Sequence, residues 1–148
     1  HEVVDLGEEV LDDPVWMRSG GAEKGRDGCR VPLPWTRGGP SFGFGSGEPW
    51  LPQPENFGAA SVEAQAGVEG STLELYRRAL LRRQRLPADS ELEWLDSPEQ
   101  VLAYRRGDLR CWLNLGNKPV ELPAGKVILA SAAATGTLPG NAAVWLED

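Results

Sequence analysis

Residues that break helices and strands are spread unevenly along this chain, and that asymmetry limits its architecture more than any other feature. Gly and Pro together number 30 of 148 residues, and 18 of them fall within residues 1–60. Gly opens left-handed backbone conformations, and Pro removes an N–H donor and fixes φ. Neither a long helix nor an interior strand runs through such a stretch. Ser19-Gly20-Gly21, Asp27-Gly28, Gly38-Gly39-Pro40 and the series Gly43, Gly45, Gly47 mark turn after turn. Yet Trp35, Phe42, Phe44, Trp50 and Phe57 sit among the breakers. Disordered segments are poor in aromatics, so the expectation is a long ordered loop with aromatic anchors, which carries function or packs on another domain.

The pattern changes after residue 60. Residues 61–65 read as a short helix and 71–86 as a longer one. Ser71 and Glu74 have the spacing of a capping box. Leu73, Tyr76 and the pair Ala79/Leu80 recur at helical spacing, Arg77, Arg78, Arg82, Arg83 and Arg85 load the end that the helix dipole makes negative, and Pro87 stops the helix. Short strands are expected at 91–95, 100–106, 109–115, 119–122, 126–131 and 142–147, with Arg106-Gly107-Asp108 and Gly116-Asn117 as hairpin turns. Alternation places Leu102 and Tyr104 on one face of their strand, and Leu109, Cys111, Leu113 and Leu115 on one face of the next. The fold class is therefore mainly β: a long Gly/Pro-rich loop and one helix ahead of a small antiparallel β-sandwich. The division falls between residues 1–88 and 89–148.

Charge and composition exclude several functions. The net charge is −7, so the chain has no global field for nucleic acid or an anionic membrane, and neither partner is expected. The cleanest apolar run, Val127 to Ala134, is too short to span a bilayer, and the N-terminus lacks the basic and apolar regions of a signal peptide. The only histidine is His1, which argues against a Ser/His/Asp or Cys/His machine and against a histidine metal site. No cofactor and no metal are expected. Cys29 and Cys111 lack metal or redox spacing and are read as free thiols in a reducing compartment, the cytoplasm. The basic residues are 12 Arg against 3 Lys, which a GC-rich genome explains as readily as anion recognition does. The first residue is His, not Met, as expected of a fragment or a processed piece.

The block GRDGCRVPLPW (25–35) is the most informative stretch. Arg26 and Arg30 offer donor forks for a carboxylate or for hydroxyls, and Pro32, Pro34 and Trp35 stiffen the backbone behind them. The alternative is a loop whose arginines pair with Asp27 and nearby acids. The FGFGSG run (42–47) has neither the strand, the helix nor the Lys of a phosphate loop, and is expected to cover something. The acid pairs Glu8/Glu9, Asp12/Asp13 and Glu91/Glu93 read as solvated charge, and the arginines of the long helix as a solvated or domain-facing surface. Trp94, Trp112 and Trp145 lie in strands, where core packing is the default and sugar stacking the alternative.

Taken in order, DPVWMRSGG (13–21), GRDGCRVPLPW (25–35), FGFGSGEPWLPQP (42–54), SVEAQ (61–65), STLELYRRALLRRQR (71–85), VLAYRRGDLRCWLNLGNKPVELP (101–123) and AVWLED at the end resemble the C-terminal part of bacterial α-glucosidases of the α-amylase superfamily, the oligo-1,6-glucosidase-like branch. The resemblance implies a fragment of a (β/α)8 barrel enzyme. Residues 1–60 would be the excursion after the eighth barrel strand, 71–86 the last barrel helix, and 89–148 the C-terminal β domain. It also implies that an arginine of the 25–35 block contacts the sugar beside the cleaved bond, Arg26 being the first choice and Arg30 the second, with small α-glucosides or oligosaccharides as substrates. The nucleophile Asp, the acid/base Glu and the stabilising Asp with its neighbouring His lie upstream in that family, so no catalytic residue is assigned here. The partner implied is the missing N-terminal barrel. Two other readings stand beside this one: a stand-alone remnant without activity, and a carbohydrate-binding β domain using the strand tryptophans.

Overall fold

The computed structural model describes residues 4–147, so His1 and the last residue of the terminal motif lie outside it. Packing divides the chain into two compact units between Val68 and Glu69.

The first unit is built from turns and three short helices. Helix α1 (Pro14–Arg18) starts where the Asp13 carboxylate accepts the Val15 N–H at 2.8 Å, with Pro14 at a position whose missing donor costs nothing. Helices α2 (Phe57–Ala60) and α3 (Val62–Gln65) meet at Ser61, which is fully buried. Its hydroxyl donates to the Gly58 carbonyl at 2.8 Å and accepts the Ala64 N–H at 3.2 Å. Leu6, Leu11, Val31, Leu51 and Phe57 form the core. The aromatic anchors behave differently from expectation. Only Phe57 is buried and Phe42 half-buried, whereas Trp35, Phe44 and Trp50 are 48%, 59% and 71% exposed. Aliphatic side chains spaced through the loop fill the core in their place.

The second unit is the antiparallel sandwich that the alternation implied. Helix α4 (Thr72–Gln84) precedes strands β1 (Leu92–Trp94), β2 (Val101–Arg106), β3 (Leu109–Asn114), β4 (Val120–Glu121), β5 (Lys126–Ala130), β6 (Thr137–Leu138) and β7 (Ala142–Glu147). The main sheet runs β1-β2-β3-β7-β5, and β4 pairs with β6 in a second, two-stranded sheet. Gly107, at φ +59°, makes the two-residue turn between β2 and β3. Strand β6 has no counterpart in the alternation pattern. It is two residues long, between Gly136 and Pro139, too short for any period to register.

Register decides which face is core. Ala103, Trp112 and Val144 stand opposite one another across three strands. With Val101, Ala142 and Leu146 they pack against Leu138 of the small sheet. Leu102 and Leu113, and Tyr104 and Cys111, also pair across strands as the alternation expected, but on the opposite face. Asn114 is the polar pin of the sandwich. It is 1% exposed, its amide donates to the carbonyls of Lys118, Leu138 and Pro139 at 2.8–3.1 Å, and its oxygen accepts the Gly116 N–H at 3.0 Å.

Helix α4 starts as the capping box foretold, the Ser71 hydroxyl accepting the Glu74 N–H at 3.3 Å. Leu75, Tyr76 and Ala79 lie beside Leu129 and Trp145 of the sheet, and Tyr76 and Leu80 are 63% and 52% exposed. Arg78 and Arg82 reach the sheet through their guanidinium groups. A bulge between Val127 and Leu129 breaks the ladder of β5, and the Ile128 carbonyl accepts from Arg78 Nη2 at 2.8 Å. Arg82 Nη2 lies 2.8 Å from an Asp108 carboxylate oxygen and 3.0 Å from Glu147 Oε1, pinning the helix to the β2–β3 turn and to the end of β7. Among the described residues no helix is long and apolar enough to cross a membrane.

Candidate functional site

The 25–30 block is held from beneath by two buried carboxylates. Asp27 is 0% and Asp13 1% exposed. Asp27 Oδ2 accepts the backbone N–H groups of Asp12 and Asp13 at 2.7 and 2.8 Å. One Asp13 oxygen caps α1, and the other accepts the Arg26 N–H at 3.2 Å. Gly25 makes this approach possible: at φ +71° it lies so close that a Cβ there would sit 2.5 Å from the Asp13 carboxyl carbon. Reading Asp12/Asp13 as solvated charge therefore fails for Asp13. The burial comes from the loop folding back over it, which spacing along the chain does not encode.

The two arginines are used differently. Arg30 Nη1 lies 3.0 Å from Asp13 Oδ2 and 3.0 Å from Asp27 Oδ1, so one nitrogen of its guanidinium bridges the two buried carboxylates, while the side chain is 42% exposed. Arg26 is fixed at its backbone, but its side chain is 76% exposed, with Nε 3.9 Å from Asp13 Oδ2. Its guanidinium projects from a rigid base. The Val15 N–H, then the Arg26 N–H and the Arg30 and Arg26 charges, hold the Asp13 carboxyl below the usual carboxylate range against the opposing effect of burial. The N–H groups of Asp12 and Asp13, with Arg30, do the same for Asp27.

Behind the block, Val31 and Pro34 are buried and the chain turns back on itself, Trp35 and Thr36 both donating to the Phe42 carbonyl at 2.8 and 2.9 Å. Ser41 and Phe42 adopt left-handed backbone (φ +47° and +46°), sparsely populated for non-glycine residues. The Ser41 hydroxyl donates to the Gly47 carbonyl, and Gln53 Nε2 donates to the Pro32 and Ser41 carbonyls. This turn walls a cleft of about 650 Å³ whose lining includes Val10, Phe42, Glu48, Trp50 and Gln53.

In the second unit the three strand tryptophans do not form one platform. Trp94, Tyr104, Cys111 and Trp145 lie in one cross-strand row on one face, and Trp112 points to the other, where it is part of the core. Trp94 is 65% exposed and meets Tyr104 edge-to-face at 5.9 Å. Both cysteines are free, Cys29 exposed and Cys111 buried.

Residues 4–89 match the family described as alpha amylase, catalytic domain. The chain belongs to that α-amylase family. Residues 87–145 of this α-amylase-family chain match a second family, described as a domain of unknown function (DUF3459). The chain is 34% identical over 127 residues to a probable alpha-glucosidase of Rhizobium meliloti, covering 80% of this chain and 23% of that protein. It is 33% identical over 112 residues to a glucan 1,6-alpha-glucosidase of Streptococcus pneumoniae, covering 70% of this chain and 20% of that protein. Among solved structures, the alpha-glucosyl transfer enzyme XgtA superposes with a TM-score of 0.75 at 34% identity, over 99% of this chain and 30% of that one. The chain thus spans about a quarter of the length of these α-amylase-family relatives, and the mainly β fold with few helices matches the C-terminal part of such an enzyme.

Proposed function

We propose that this chain is the C-terminal segment of a cytoplasmic, retaining α-glucosidase acting on α-glucosidic bonds of small oligosaccharides. Arg26 is its substrate-contacting side chain, and residues 1–88 and 89–148 are the end of the catalytic barrel and the C-terminal β domain. The observation that carries the reading is the geometry of the 25–30 block, in which Arg30 Nη1 is engaged by both buried carboxylates and the Arg26 side chain is the more exposed of the two, 76% against 42%. Three further findings support it. The relatives matched over most of the chain are named as α-glucosidases. The two family matches meet at residues 87–89. The open stripe Tyr76, Leu80 and Leu81 on α4 is apolar surface of the kind that a further layer buries.

A retaining glycosidase needs two carboxyl groups flanking the scissile bond, one as nucleophile and one as acid/base. Among the described residues, Asp13 and Asp27 hold the backbone of their own loop, Glu74 pairs with Arg77, Asp108 and Glu147 pair with Arg82, and Glu8, Glu9, Glu91 and Glu93 are spread over exposed surface. The isolated 148-residue chain is therefore expected to release no phenolate from an aryl α-glucoside, and the complete gene product to do so. Turnover by the purified short chain, free of any larger band, overturns the reading. So does a complete gene product without activity.

A further inference from the structure

We infer that Asp13 is a positioning residue for Arg26, aided by Asp27 and Arg30, so that the loop presents one arginine by spending the other. This rests on the reading of Arg26 as the substrate contact. A guanidinium on a flexible loop must lose backbone as well as side-chain freedom on binding, and fixing the backbone beforehand lowers that cost. The clamp fixes it from both sides. Asp13 Oδ2 receives the Arg26 amide at 3.2 Å and sits 3.0 Å from Nη1 of Arg30, four residues further along the chain. Asp27, next in sequence to Arg26, fixes Asp13 by accepting its N–H at 2.8 Å and takes the same Arg30 nitrogen at 3.0 Å. Gly25 lets the chain pass close over the carboxylate. The Arg26 side chain itself stays 76% exposed, with Nε 3.9 Å from Asp13 Oδ2, so the anchored backbone presents a guanidinium whose donors suit hydroxyls or a carboxylate.

Asp13→Asn isolates this role. The Asn oxygen still accepts the Val15 N–H and keeps the cap on α1. Its amide nitrogen then opposes the Arg26 N–H and Arg30 Nη1, a donor facing donors. In the complete gene product, Arg26→Ala is expected to raise KM for an aryl α-glucoside roughly tenfold or more. Asp13→Asn is expected to raise KM at least about threefold, with kcat within about twofold, at temperatures where both proteins are fully folded. The double variant is expected to match Arg26→Ala alone within about twofold, because a group that acts through Arg26 has nothing left to position. Should Asp13→Asn not fold, Asp27→Asn enters the same cycle, since its oxygen still accepts the two backbone N–H groups. A wild-type KM in the aspartate variant with only a lowered Tm, or multiplicative effects in the double variant, overturns the positioning role and leaves the Arg26 reading standing. A wild-type KM for Arg26→Ala overturns that reading, and this inference with it.

Discussion

At the scale of single residues, chemistry here follows burial rather than residue type. The two cysteines are the clearest pair. Cys29 is exposed at the end of the 27–29 turn, whereas Cys111 lies inside the main sheet against Tyr104. Burial pushes the Cys111 thiol up, and burial followed by the hydrogen bond to Cys111 pushes the Tyr104 phenol up to about 12. Thiolate is the reactive form, so one thiol is expected to react with Ellman's reagent in the native chain and two in guanidinium chloride. Equal native reactivity of both thiols would contradict the placement of Cys111. The same contrast separates Arg26 from Arg30, and Asp13 from Asp12: neighbours of like type, one engaged inside the loop and one facing water.

At the scale of elements, helix α4 and the main sheet join through polar as well as apolar contacts. None of the helix residues is fully buried, and Arg82, 16% exposed at its side chain, carries the link to Asp108 and Glu147. Asp108 in turn holds the guanidinium charge in place and is itself kept below the usual carboxylate range by Arg82. Arg82→Ala is expected to lower amide protection along 72–84 roughly tenfold in hydrogen exchange while leaving β2, β3 and β7 protected, since their ladders do not depend on it. Loss of protection across the sheet as well would show that helix and sheet open as one unit. The helix itself was legible in the sequence down to its cap, because capping and propensity are local. That Leu75 joins Ala79 beside the sheet while Leu80 stays exposed was not, because the two leucines look alike in the sequence. The choice is made by where Asp108, Glu147 and the Ile128 carbonyl stand.

At the scale of the whole molecule, the two units differ in what acid does to them. The first is pinned by Asp13 and Asp27, whose carboxyls titrate below their ordinary value of 3.8. A carboxyl with a lowered native pKa takes up its proton in the unfolded chain first. Its contribution is complete above about pH 5 and is lost as pH falls through 3.8 towards the native values. The second unit rests on an apolar core and the neutral Asn114 network. On acidification below pH 4, hydrogen exchange and pepsin cleavage are therefore expected to open residues 4–68 before 92–147. Opening in the reverse order would remove the carboxylate clamp as the main support of the first unit.

What the sequence determined by itself is what short-range chemistry decides. The breakers exclude long elements from residues 1–60, Ser71 and Pro87 bracket a helix, alternation and Gly107 fold back a hairpin, and the motif series points to the α-amylase family that the comparisons then established. The β2–β3 hairpin was legible because a tight turn and a side-chain period of two residues leave one register that buries a face, whereas Gly116-Asn117 closes no hairpin: β3 pairs with β7, and β4 with β6. Three features were settled only by tertiary structure: the face carrying the core, the burial of Asp13, and the division of labour between Arg26 and Arg30. Each depends on groups separated by more than a turn of chain meeting in space. A carboxylate is solvated or buried according to what folds over it, and residues 25–30 fold over Asp13 because Gly25 permits the approach and two layers of hydrogen bonds reward it.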